Sequence, residues 1–275
     1  MVRWLVTGVV VGLLVGCQSL PSEAPPWVEQ LDTERIDTSW HQHLIARQSA
    51  SVGGEGSDRL HIYIEGDGIA WVGRYFVARD PTPENGLSLR LMRRDTRADA
   101  LYLGRPCQFN QPRFGLDDRH CHPGDWASGR YSERVVASMT DALNQAVDWD
   151  KHREVVLIGH SGGGTLAMLI GHRLPRARVA GIVTIAANLD TREWTRHHGY
   201  TPLWGSLNPA AQITESDIPQ AHWAGGQDEE VPPLVARAFT ERLGYPLQVI
   251  DDNTHGRGWL ELWPEALYDF LRESQ

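Results

Sequence analysis

A serine, an aspartate and a histidine stand in this chain, each close to glycines, and together these residue types can carry out nucleophilic catalysis. Ser161 lies within Gly159-His160-Ser161-Gly162-Gly163, Asp228 within Gly225-Gly226-Gln227-Asp228, and His255 within Thr254-His255-Gly256. A serine hydroxyl is a weak nucleophile at neutral pH, so Ser161 needs a base to take its proton. An imidazole does this when a carboxylate fixes its tautomer and stabilises its charged form. His255 is the candidate base and Asp228 the candidate acid. Among the other histidines, His222 lies inside the apolar run Ile218–Ala224 and reads as a neutral core histidine. Asp190, Glu229 and Glu230 are alternative acids. Asp251 and Asp252 are too near His255 in sequence to reach its ring from across a neighbouring strand.

The segments around Ser161 show how it must be held. The apolar run Val155–Ile158 precedes it and Gly164–Ile170 follows it, which predicts a buried strand, a tight turn and a helix. So sharp a reversal leaves no room for a Cβ two residues before or after the serine, and it forces the serine into a strained backbone conformation. The strain lifts Oγ clear of the sheet and sets the Gly162 amide at a helix N-terminus, facing a developing oxyanion. A glycine-rich strand-to-helix turn also suits phosphate; Asp228 and His255 further on favour the serine chemistry. The second oxyanion amide is expected from Asp67 or Gly68, in Glu65-Gly66-Asp67-Gly68 after the strand-like Leu60–Glu65.

Further strands are expected at Ala100–Gly104, Val179–Ile185, Ile218–Ala224 and Leu247–Ile250, and helices at Ser132–Ala146, Leu234–Leu243 and Glu261–Arg272. Alternating strands and helices imply a mostly parallel sheet covered on both faces, with ligands at the carboxyl ends of its strands. Two segments depart from this alternation: Pro106–Tyr131 and Thr191–Ile213, the second either a lid or a surface loop. Trp71, Trp126, Trp204 and Trp259 either line an apolar acyl pocket or belong to the core.

Taken in order, Glu65-Gly66-Asp67-Gly68, Gly159-His160-Ser161-Gly162-Gly163, Gly225-Gly226-Gln227-Asp228 and Thr254-His255-Gly256 resemble the α/β-hydrolase superfamily, from about Arg59 to the C-terminus. The resemblance implies hydrolysis through an acyl-enzyme without metal or organic cofactor. The expected substrate is a small-molecule or lipid-like carboxylic ester. Amidases, peptidases and acyltransferases use the same groups, and a non-catalytic envelope lipoprotein on this fold is the alternative. One position departs from the usual pattern: Glu65 stands where histidine is common.

At the N-terminus, Met1-Val2-Arg3 leads into an apolar run, Trp4–Gly16, that ends Leu14-Val15-Gly16-Cys17. Such a run is shorter than the roughly 20 residues of a spanning helix and reads as a secretory signal. Its end resembles the bacterial lipobox, which makes residues 1–16 a lipoprotein signal peptide and Cys17 the lipidated residue. Gln18 then favours an outer-membrane lipid anchor facing the periplasm. Residues 17–35 form the anchored tether, and 36–275 one α/β-hydrolase domain. The net charge of −9, with no block of Lys or Arg, argues against a nucleic-acid partner. In an exported chain Cys107 and Cys121 are expected to pair as a disulfide. His120 and His122 flank Cys121, but C-x₂-C and H-x₃-H spacings are missing, so no metal site is expected.

Overall fold

A computed structural model describes residues 32–51, 58–73 and 75–274. The expected signal peptide, Cys17 and nearly all of the tether lie outside the described residues. In chain order the strands are β1 (Thr33–Asp37), β2 (Gln42–Gln48), β3 (Arg59–Ile64), β4 (Trp71–Val72), β5 (Phe76–Val77), β6 (Ala100–Leu103), β7 (Glu154–His160), β8 (Val179–Ile185), β9 (Gln220–Gly225) and β10 (Leu247–Ile250). The helices are α1 (Leu87–Arg94), α2 (Glu133–Ala146), α3 (Gly162–Gly171), α4 (Thr191–His198), α5 (Pro209–Gln212), α6 (Leu234–Arg242), α7 (Trp259–Leu262) and α8 (Glu265–Glu273).

The main sheet has the order β1-β2-β6-β3-β7-β8-β9-β10. β6, β3, β7, β8, β9 and β10 pair in parallel, and β2 runs against both of its neighbours. β4 and β5 form a separate small ribbon. Alternation along the central strands sorts side chains into two layers. Leu60, Ile62, Val155 and Leu157 face a core shared with α2, α3 and Phe239 of α6. Tyr63, Val156 and Ile158 face the opposite core, with α1, Trp259 of α7 and Leu267 of α8. A fully buried Val, Leu or Ile contributes about 1.5–3 kcal/mol, so the central strands anchor the sheet from both sides.

The mostly parallel sheet with helices on both faces is as the sequence predicts. Several local expectations shift. The first described strand, β1, begins at Thr33. Pro219 lacks an N–H for the ladder, and β9 starts only at Gln220. The single helix expected over Glu261–Arg272 is two helices, because Pro264 cannot continue a helix and disfavours helical geometry at Trp263.

Candidate active site

Each expected site residue sits where a parallel strand ends: Asp67 after β3, Ser161 after β7, Asp228 after β9 and His255 after β10. Adjacent parallel strands therefore deliver all of them to one edge of the sheet.

Ser161 adopts φ 53° and ψ −125° between β7 and α3. Such a conformation costs a non-glycine residue about 1–3 kcal/mol and is held only by its surroundings. The Ser161 amide donates to the Ile185 carbonyl of β8 at 2.8 Å, and α3 is buried along its whole length. The flanking glycines meet the steric demand read from the sequence. A Cβ on Gly159 would lie 2.2 Å from the Gly163 carbonyl oxygen, and one on Gly163 would lie 2.2 Å from that of Ile64.

His255 Nδ1 lies 2.9 Å from Asp228 Oδ2. The other Asp228 oxygen accepts from the amides of Glu230 at 2.9 Å and Val231 at 2.8 Å, so the buried carboxylate presents one face to the imidazole. The His255 carbonyl accepts from His160 Nε2 at 2.8 Å and from Trp259 Nε1 at 3.1 Å, which ties the histidine loop to the residue preceding Ser161. Burial works to lower the His255 pKa. Asp228, by hydrogen bond and charge, together with Glu230 and Asp67, outweighs burial and raises it above the usual 6.5. His255 Nε2 lies 3.7 Å from Glu230 Oε2, and among the described residues no hydrogen bond joins it to the Ser161 hydroxyl. Catalytic hydrogen bonds of this kind often close only when substrate binds.

The amides expected to stabilise an oxyanion are unengaged. Gly162 opens α3, so its N–H has no partner within the helix, and neither it nor the amides of Asp67 and Gly68 donate to any acceptor among the described residues. Glu65, at the position that departs from the superfamily pattern, is 2 % exposed. Its carboxylate accepts from the amides of Gly66 at 3.0 Å and Ser88 at 3.1 Å, pinning the loop to α1.

What sequence reasoning missed is the environment of the Asp67 side chain. Its carboxylate accepts from Arg105 Nη1 at 2.6 Å, from Arg130 Nη1 at 2.7 Å and from the Tyr131 hydroxyl at 2.8 Å. Both arginine side chains are at most 5 % exposed. Burial opposes the Asp67 charge, but the charges and hydrogen bonds of Arg130 and Arg105 prevail and hold its pKa far below the ordinary carboxylate range. The carboxylate is packed so closely on Gly162 that a Cβ there would lie 2.0 Å from Asp67 Oδ1. Arg105, Arg130 and Tyr131 share no local motif with Asp67; β6–β3 pairing brings Arg105, just after β6, to the loop that follows β3.

Cys107 and Cys121 form the expected disulfide, with Cα atoms 5.6 Å apart. His41 and Asp118 bring their donor atoms within 4.8 Å of these sulfurs. A disulfide sulfur is not the thiolate that a metal requires, and His41 Nδ1 is engaged with Asp118 Oδ2 at 2.9 Å. Two of the alternative residues serve elsewhere. Asp190 caps α4 through the amides of Arg192 and Glu193, while His222 is buried, its pKa lowered to about 3 by burial. The segment Thr191–Ile213 folds as α4 and α5, and Trp194 and His198 both bond the Glu230 carbonyl. Trp126 and Trp259 are core residues, whereas Trp71 and Trp204 are exposed. A cavity of ≈ 470 Å³ lined by Trp223, Trp259 and Trp263 contains none of Ser161, Asp228 and His255.

No protein-family model matches this chain, and no curated protein sequence does. Solved structures share its architecture. An α/β serine hydrolase homologue from Coxiella burnetii aligns with a TM-score of 0.58 at 15% identity, over 88% of this chain and 96% of that one. Est1E from Butyrivibrio proteoclasticus, with ferulic acid bound, aligns at 0.61 and 16% identity, over 88% and 98%. An α/β serine hydrolase without a lid from Xanthomonas campestris aligns at 0.53 and 12% identity, over 89% and 95%. Sheet order, strand-end residues and these alignments agree: the chain has the α/β-hydrolase fold.

Proposed function

We propose that this protein is a serine hydrolase of carboxylic esters. The observation that carries the reading is the His255–Asp228 pair at 2.9 Å, set on the same sheet edge as a serine held at positive φ. Ser161 Oγ attacks the ester carbonyl carbon and His255 Nε2 takes the hydroxyl proton. Asp228 holds the Nδ1–H tautomer and stabilises the imidazolium. The negative charge that develops on the carbonyl oxygen is met by the amides of Gly162 and of Asp67 or Gly68. Imidazolium then protonates the departing alcohol, and water activated by the same histidine releases the acid. Ferulic acid, held by Est1E, is a carboxylic acid, the product class of such a reaction.

The reading extends to place: residues 1–16 as signal peptide, Cys17 lipidated, and the enzyme tethered in the bacterial envelope at the outer membrane. Leu14-Val15-Gly16-Cys17-Gln18 supports this. Palmitate incorporation that is lost in Cys17→Ser is the expected result; a chain unlabelled in both forms would refute the anchor. For the chemistry, the purified chain should turn over a short aryl ester much faster than the matching arylamide. Turnover retained by Ser161→Ala would sink the reading.

A further inference from the structure

The expected oxyanion donor of the early loop is one half of a peptide unit. The N–H of Asp67 and the carbonyl of Gly66 belong to the same planar group, so fixing the carbonyl fixes the direction of the N–H. Gln108 Nε2 donates to that carbonyl at 3.0 Å from a side chain that is buried with it. On the other side of the unit, Arg105, Arg130 and Tyr131 fix the Asp67 carboxylate. The peptide is therefore gripped at its carbonyl and at its following side chain, while its N–H stays without an acceptor among the described residues.

Every part of this grip comes from one irregular segment. Arg105 and Gln108 flank Cys107, whose disulfide to Cys121 closes the loop, and Arg130 and Tyr131 end it just before α2. The same segment also braces the chain beyond the oxyanion loop: Trp126 Nε1 donates to the Ala78 carbonyl at 3.0 Å, and the Phe109 amide to Thr82 Oγ1 at 2.6 Å. Two buried guanidinium groups and a buried amide are a costly way to hold a surface loop unless its geometry matters.

We infer that Gln108, together with the Asp67 carboxylate and its partners Arg105, Arg130 and Tyr131, is a positioning set that aims the Gly66–Asp67 peptide N–H at the substrate oxyanion. The inference rests on the proposed ester hydrolysis and adds to it side chains that touch no reacting atom. A positioned donor acts mainly on the transition state, so its loss lowers kcat and leaves KM nearly unchanged.

The test compares the full chain with Gln108→Glu, which keeps the shape but removes the donor, and with Asp67→Asn. The readouts are kcat and KM on an aryl ester, the affinity for a trifluoromethyl ketone that forms a tetrahedral adduct, and the melting temperature. Removing an oxyanion donor outright costs about 10²–10³-fold in kcat, so misdirecting one should cost about 10- to 100-fold. Adduct affinity should fall in parallel, and KM should move less than about twofold. Folded variants with wild-type kcat and adduct affinity would overturn the inference. Should either variant fail to fold, Tyr131→Phe, which removes only a hydroxyl, is read the same way: kcat should fall with KM unchanged, and an unchanged kcat refutes the grip. A wild-type chain with neither turnover nor adduct formation would overturn the hydrolase reading itself, a distinguishable failure.

Discussion

Asp228 and Asp67 both leave the carboxyl end of a parallel strand and both are largely withdrawn from water, yet their charges are used differently. Asp228 has one oxygen saturated by backbone amides and the other turned to His255 Nδ1. Asp67 has both oxygens taken, by two guanidinium groups and a phenol, so nothing remains for an imidazole. The role of a carboxylate at this edge is decided by what saturates it rather than by its place after a strand. On the proposed reading, one tunes a base and the other braces a backbone.

The contrast breaks most visibly at Asp228. Asp228→Asn should preserve the fold but stabilise the wrong His255 tautomer, lowering kcat by about 10⁴-fold on an aryl ester. An effect no larger than that of Asp67→Asn would mean that the two carboxylates are not distinguished as argued. A second expectation concerns the segment that supplies the brace. Reducing the Cys107–Cys121 disulfide, which spans 14 residues, should cost about 3 kcal/mol of stability by loop closure, read as a lower denaturation midpoint.

The pH dependences of the two sites should also run in opposite senses. The Asp67 pKa is depressed in the folded chain, so its contribution to stability is complete above the unfolded value of about 4 and is lost as pH falls towards the folded value. The stability gap between wild type and Asp67→Asn should therefore narrow in acid, as denaturant titrations at several pH values would show. For His255 the folded pKa is raised, so the stability it adds is present below the unfolded pKa and is lost as pH climbs through the folded one. In the proposed mechanism the neutral imidazole is the base, so kcat/KM should rise with pH through that same raised pKa. The smallest effect expected is at Glu230, whose charge contributes to the raise: Glu230→Gln should move the acid limb of the pH–rate profile to lower pH with little change in its plateau.

Much of this was legible in the sequence, for local reasons. The glycines around Ser161, the apolar runs of β7 and β8, and the exits to Asp228 and His255 are short-range patterns that buried parallel strands and tight turns impose. The polar, exposed β1 and the histidine-bearing β2 carry no such signature, because one lies at the sheet edge and the other buries His43 against Gly104 and Ser138. The expectation at Asp67 concerned its amide alone. Its carboxylate found Arg105, Arg130 and Tyr131 across 38 to 64 residues of chain, and no spacing rule reaches so far. The cysteine pair likewise pointed to a disulfide-closed loop near Cys107 but not to its grip on the peptide beside Ser161.

The central claim, an activated Ser161, is tested most directly by covalent capture. Incubating the native chain with a fluorophosphonate and mapping the adduct by peptide mass spectrometry should place a single modification on Ser161, absent from Ser161→Ala and slowed in Asp228→Asn. A folded wild-type chain that stays unmodified, or that carries the label on another residue, would contradict it.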